Sequence, residues 1–206
     1  TAVSGVRTVP SQGREHAAAA TGADSGAAPQ PDASTPARDK AAAVTRPDPR
    51  DPALHIEREA LKLALQVPQL AGPVFDAVEP DMFTAPAYQA IRAGIAAAGG
   101  VASAASGPSW VAVVRDAAPD DALRTLVTEL AVERLRCDGE PDPRYAGAVL
   151  ARLAELAATR RITELKSKLQ RLNPVTAEQE YNRLFGELVA LESQRRGLRE
   201  RAIGTL

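Results

Sequence analysis

The sequence predicts an all-α fold: a bundle of short helices followed by a long projecting helical hairpin, preceded by a disordered arm. Three observations carry this. From Leu54 onward apolar residues recur at helical spacing, and no segment alternates apolar and polar residues over the length of a strand. The run "PRYAGAVLARLAELAATRRITELKSKLQRL" extends from Pro143 to Leu172 without an internal proline, far longer than the segments before it. Residues 1–52, by contrast, contain no Leu, Ile, Met, Phe, Tyr or Trp and hold seven of the sixteen prolines.

The arm comes first. Its only sizeable apolar side chains are Val3, Val6, Val9 and Val44. So little apolar surface cannot offset roughly 1–2 kcal/mol of backbone entropy per residue. Acidic and basic residues interleave, so this is no charged arm for nucleic acid. A flexible Ala/Pro linker is expected over 1–52, with folding on a partner as the alternative. The chain opens on Thr1 rather than Met, which leads us to expect a piece of a longer protein.

A bundle subdomain is expected over 53–145. "ALHIEREALKLALQ" carries Leu54, Ile56, Leu61, Leu63 and Leu65 and must stop before Pro68. A short helix around Gln69–Val78 and the "EPDMF" corner follow. Ala85–Ala98 reads as a third helix with Tyr88, Ile91 and Ile95 on one face and a Gly99-Gly100 stop. Ser109 can cap "WVAVVRDAA", which ends at Pro119, and Asp120 or Asp121 caps "ALRTLVTELAVERL" with Leu123, Leu126, Val127 and Leu130 at helical spacing.

The hairpin subdomain is expected over 146–206. Its first helix carries Leu150, Leu153, Leu156, Ile162, Leu165, Leu169 and Leu172, and Asn173-Pro174 ends it. Thr176 and Gln179 form a capping-box pattern for a last helix bearing Tyr181, Leu184, Phe185, Leu188 and Leu191. A short turn between two long amphipathic helices makes an antiparallel hairpin. The first of them is too long to pack wholly within a small bundle and should project.

Aromatic residues are scarce, three Phe, three Tyr and one Trp, yet Phe75, Phe83 and Tyr88 crowd into one segment broken by Pro80 and Pro86. Helical spacing makes them core where short helices meet; a ligand-binding cluster is the alternative.

Several chemistries find no support. One cysteine, Cys137, excludes an internal disulfide, and two histidines with one thiol offer no metal set. His16 lies in the arm and His55 at a helix start. Cys137 beside Asp138 lacks a nearby His to activate it. Acidic residues such as Asp116, Asp120, Asp121, Glu129 and Glu133 are scattered, and "EPD" and "GEPDP" read as helix starts, so no two-metal constellation emerges. No cofactor and no enzymatic activity are expected of this chain. Nor is a membrane partner, since no run of apolar residues has spanning length.

A formal charge of −1 gives no global field toward DNA. Locally, "RRITELKSKLQR" (160–171) and "SQRRGLRER" (193–201) are positive, and in a hairpin they are expected to adjoin. They fit a solvated face, an acidic partner surface or, with no interleaved aromatic residues to stack on bases, least well a nucleic acid.

The stretch "EREALKLALQVPQLAGPVFDAVEPDMFTAPAYQAIRAGI" resembles the start of the C-terminal helicase-binding domain of bacterial replicative DNA primases of the DnaG type. The shared pattern is a Leu-rich helix led by Glu-Arg, then "P-x-L", a short helix, a Phe before a helix start, and an aromatic residue followed by "xxI". It is a packing pattern rather than a chemical one. The resemblance covers 54–206, and the Ala-, Arg-, Pro- and Gly-rich composition suits an actinobacterial member. A weaker form of the pattern occurs in the N-terminal collar of the partner helicase. Here, however, the sequence continues into a hairpin, with no G-x-x-x-x-G-K-[ST] phosphate loop.

The resemblance implies a non-catalytic domain, in a cytoplasmic protein at the replication fork, that recruits primer synthesis by docking on the DnaB-type helicase. It implies a second partner, the C-terminal tail of single-strand DNA-binding protein; direct contact with nucleic acid is not expected. The helicase contact is expected on the hairpin, at Tyr181, Leu184, Phe185 and Leu188 with Arg195, Arg196 and Arg199. The alternatives are the helicase collar itself, a hairpin that self-associates into a four-helix bundle, and a nucleic-acid-binding bundle.

Overall fold

The computed structural model describes residues 45–104 and 108–204. Most of the expected arm, His16 included, lies outside the described residues. All regular structure among those described is helical: α1 (His55–Gln66), α2 (Pro68–Asp76), α3 (Pro86–Ala97), α4 (Pro108–Asp116), α5 (Asp121–Val132), α6 (Pro143–Arg171) and α7 (Glu178–Gly204), with single 3₁₀ turns at Pro52–Leu54, Pro80–Met82 and Val101–Ser103. None of these helices is long and apolar enough to cross a membrane.

Helix α1 is the axis of the bundle. It packs on α2, α3, α4, α5 and α6 at once, so every residue from Glu57 to Leu65 is buried. Burial of Leu61, Leu63 and Leu65 contributes about 1.5–3 kcal/mol each. The same encirclement buries four ionisable side chains that must all find partners. Glu57 accepts from Thr84 N (2.9 Å), Thr84 Oγ1 (2.6 Å) and Ala85 N (3.3 Å), holding the chain just ahead of α3. Arg58 forks onto Glu133 (2.9 and 3.1 Å through Nε) and donates to the Tyr88 hydroxyl at 3.2 Å. Glu59 accepts from Arg136 N (2.7 Å), from the Tyr145 hydroxyl and from Lys62 (2.6 Å). Lys62 also donates to Arg134 O at 2.8 Å. Apart from the Glu59–Lys62 pair within α1, these partners come from distant parts of the chain, so the cluster ties the α5–α6 connection and the start of α6 to the central helix.

Phe75, Phe83 and Tyr88 are each at most 1% exposed and belong to one apolar core with Leu61, Ile95 and Leu153. They are core. Arg92 lies over the Phe75 ring, 5.3 Å from its centroid, and donates to Val78 O and Asp76 O, both at 2.7 Å. The second helix is not the simple turn of helix expected: Gly72, at φ 47° and ψ −153°, kinks it ahead of Pro73. Gly100 (φ 82°) likewise needs a residue without Cβ, because a Cβ there would sit 3.0 Å from the Asp76 carboxylate that caps Val101 and Ala102.

Asp120, not Asp121, caps α5 by accepting from Leu123 N at 2.8 Å, and Asp142 caps α6 through Tyr145 N. Ser109 lies inside the first turn of α4 rather than capping it. Ahead of Pro52, Pro47 is buried and Arg46 pairs with Glu129 at 2.5 Å.

Candidate protein-interaction site

At about 1.5 Å per residue, α6 (29 residues) and α7 (27 residues) are each roughly 40 Å long. Only about the first third of α6 contributes to the bundle core. Ala146, Val149, Leu150 and Leu153 enter its core, whereas Ala158, Ile162 and Leu165 are buried outside that core. Helix α7 packs extensively on α6 and makes no comparable contact with α1–α5. Past the middle of α6, Arg160 Nη2 still donates to Met82 O of the bundle at 2.5 Å. Beside it opens a cleft of about 620 Å³ lined by Met82, Ala154, Ala158 and Leu191.

The hairpin turn is set by Asn173: its Oδ1 accepts from Val175 N (2.9 Å) and its carbonyl from Ala177 N (3.0 Å). α7 starts at Glu178, so Thr176 stands two residues outside the helix it was expected to cap.

The structure divides the expected stripe on α7. Leu184 is buried at 4% exposure and, with Leu198 and Ala202, forms the seam toward α6. Leu188 is half-buried on the edge of that seam. Tyr181 is half-buried too, while Phe185 is 50% exposed. Their rings stack one turn apart, with centroids 6.4 Å apart and planes 6° from parallel. Val189, one turn further, is 55% exposed. Tyr181, Phe185 and Val189 thus form an uncovered apolar line in a chain with seven aromatic residues in all.

The two basic segments meet only at their edges. Antiparallel packing sets 160–171 beside the first half of α7 and carries 193–201 back toward the first half of α6, so that Lys166 and Arg195 close on the same Glu192 carboxylate. Arg161 donates to Glu187 (2.9 Å) and Lys166 to Glu192 (2.9 Å) across the hairpin. The bond to Glu187 holds the Arg161 guanidinium above its ordinary pKa, and the bond from Lys166 holds Glu192 below the usual carboxylate range. Arg195 is half-buried and bonds Glu192 at 2.6 Å. Arg196 and Arg199 are exposed, with no ion pair or hydrogen bond among the described residues.

Elsewhere the polar groups read as structural. His55 is half-buried, its Nδ1 3.1 Å from Arg136 Nη1, and Cys137 Sγ donates to Gly139 O at 3.4 Å. Among the described residues no three His, Cys, Asp or Glu side chains gather to hold a metal ion.

This arrangement can bind a surface. Comparison with known proteins gives it a family. Residues 57–184 match the protein family described as DNA primase DnaG DnaB-binding, well over half of the chain, though the match ends at Leu184, before Phe185 and the exposed arginines. A DNA primase of Mycolicibacterium smegmatis is 50% identical over 171 residues, covering 82% of this chain and 27% of that protein. One from Mycobacterium tuberculosis is 50% identical over 161 residues, covering 78% and 25%. One from Streptomyces coelicolor is 41% identical over 169 residues, covering 77% and 26%. The chain therefore spans about a quarter of the length of the curated relatives it matches. Among solved structures, the helicase binding domain of primase from Mycobacterium tuberculosis superposes with a TM-score of 0.61 at 49% identity, covering 74% of this chain and 94% of that one. This chain belongs to the DnaB-binding family of DnaG primase domains.

Proposed function

We propose that this domain is the non-catalytic module by which a primase docks on its DnaB-type replicative helicase, through the outward stripe of α7. The observation that carries the site is the stacked Tyr181–Phe185 pair, left uncovered on a helix that packs against α6. Large rings dominate binding energy when a partner buries them, and a helix laid in an apolar groove is a recurring mode of recognition. In this reading Tyr181, Phe185 and Leu188 touch the helicase, Leu184 supports them from beneath, and Arg195, Arg196 and Arg199 form the rim.

The bundle braces the hairpin, and the division between them falls past Leu153 inside α6 rather than at residue 145, because the first third of α6 is bundle core. The part of the expected linker ahead of Arg46, which itself pairs with Glu129, acts as a tether to a primer-synthesising core and raises its local concentration at the replication fork, in the nucleoid. The seam of Leu184, Leu198 and Ala202 is satisfied within the chain, which favours docking over self-association into a four-helix bundle.

Titrating the helicase of the same organism with the intact chain and with Phe185→Ala tests the site. The variant should keep its helical signal and bind about 5- to 150-fold more weakly, a loss of about 1–3 kcal/mol. Unchanged affinity would move the contact off α7.

A further inference from the structure

Resting on the reading that the outer stripe of α7 is the docking face, we infer that its partner presents a bipartite surface: an apolar pocket for the Tyr181–Phe185 pair and, further along, a cluster of carboxylates that meets Arg196 and Arg199. The stripe runs Tyr181, Phe185, Val189, Glu192, Arg196, Arg199 at steps of three and four residues, so these side chains lie along one side of the helix. At about 1.5 Å per residue, Arg196 and Arg199 stand roughly 16 and 21 Å beyond Phe185.

Three cations flanking the stripe are compensated within the hairpin. Arg161 is held by Glu187, and Lys166 and Arg195 share Glu192. Arg196 and Arg199 receive no such partner; among the described residues Glu200, exposed on the same flank, bridges neither. A guanidinium pairs best with a carboxylate, through two parallel hydrogen bonds.

The separation gives the contact a direction. Docked the other way round, the partner's carboxylates would be buried against rings, and unpaired buried charge is strongly disfavoured. A second copy docking through the same stripe would offer these arginines only Glu192, which is already shared by two cations. Nucleic acid fits less well, because no ring lies between Arg196 and Arg199 to stack on a base.

The test is association kinetics of the intact chain on immobilised helicase of the same organism, across a salt series. Complementary charge acts mainly on the on-rate and is screened by salt, whereas apolar anchors act on the off-rate. Arg196→Glu/Arg199→Glu should slow association at low salt by about tenfold or more and flatten its salt dependence. Arg196→Gln/Arg199→Gln should fall between it and wild type, and Phe185→Ala should speed dissociation with the salt slope intact.

If the charge-reversed chain associates like wild type with the same slope while Phe185→Ala still dissociates faster, the acidic partner surface is refuted and hairpin docking stands. If all three variants bind like wild type, the docking reading itself fails. Self-association of wild type in sedimentation that the arginine variants abolish would assign the arginines to a second copy instead. Loss of binding to a single-stranded oligonucleotide with an unchanged helicase on-rate would assign them to nucleic acid. Either result overturns the inference.

Discussion

Replacing Phe83 by alanine should cost the fold far more than the same change at Phe185, and the contrast can be worked from the structure. Phe83 is 1% exposed, at the point where the Pro80–Met82 turn hands over to α3, within the core that holds Phe75, Tyr88 and Leu61. Truncation removes a fully buried ring and leaves a cavity among neighbours fixed by α1, together costing about 3–5 kcal/mol. Phe185 is half exposed and touches Tyr181, so its removal costs about 1 kcal/mol or less. For a chain of this size each kcal/mol moves the thermal midpoint by about 2–4 °C, which puts Phe83→Ala some 6–20 °C below wild type and Phe185→Ala within about 4 °C. Urea titrations followed by circular dichroism give both free energies directly, with the denaturant slope as a check that the unfolding transition is unchanged. Similar losses for the two variants would refute the assignment of one ring to core and the other to surface.

Glu57→Ala should destabilise by about 1–3 kcal/mol, chiefly by stranding the buried Ala85 N–H, since exposed Thr84 can turn to water; a melt indistinguishable from wild type would mean the bonds ahead of α3 add nothing. Acid should weaken the Arg58–Glu133 pair. The hydrogen bond from Arg58 holds the Glu133 carboxyl below its usual range, against an opposing effect of burial. A depressed folded pKa contributes stability above the unfolded value of about 4.3 and loses it as pH falls through the folded value. Thermal melts of Glu133→Gln should thus lie below wild type at neutral pH, with the gap closing below about pH 4.5; a constant gap would show that the charge is irrelevant.

Much of the fold is legible in the sequence because helical period and caps are local signals. Leu123, Leu126, Val127 and Leu130 are all buried on α5, and the span of α6 follows from its unbroken apolar pattern and the Asp142 and Asn173-Pro174 punctuation. What escapes is set by partners far away in sequence. Glu57, Arg58, Glu59 and Lys62 carry charges that a short helix ordinarily turns to solvent, and only the packing of helices all around α1 makes them interior. The kink at Gly72 was masked by good helical spacing on either side of it. On α7, Tyr181, Leu184, Phe185 and Leu188 share one broad apolar face; which edge turns to α6 and which stays open depends on hairpin register, so Leu184 and Phe185 cannot be separated from sequence. The basic segments carry the same lesson, since Glu187 and Glu192, which pair with Arg161 and Lys166, reside on the opposite helix.

Hydroxyl-radical footprinting of the intact chain with and without saturating helicase reads the docking face most directly. Tyr181 and Phe185 should lose reactivity on addition of helicase, with the exposed positions of α4 and α5 unchanged. Undiminished reactivity at both rings, with protection appearing on α4 and α5 instead, would contradict docking through α7.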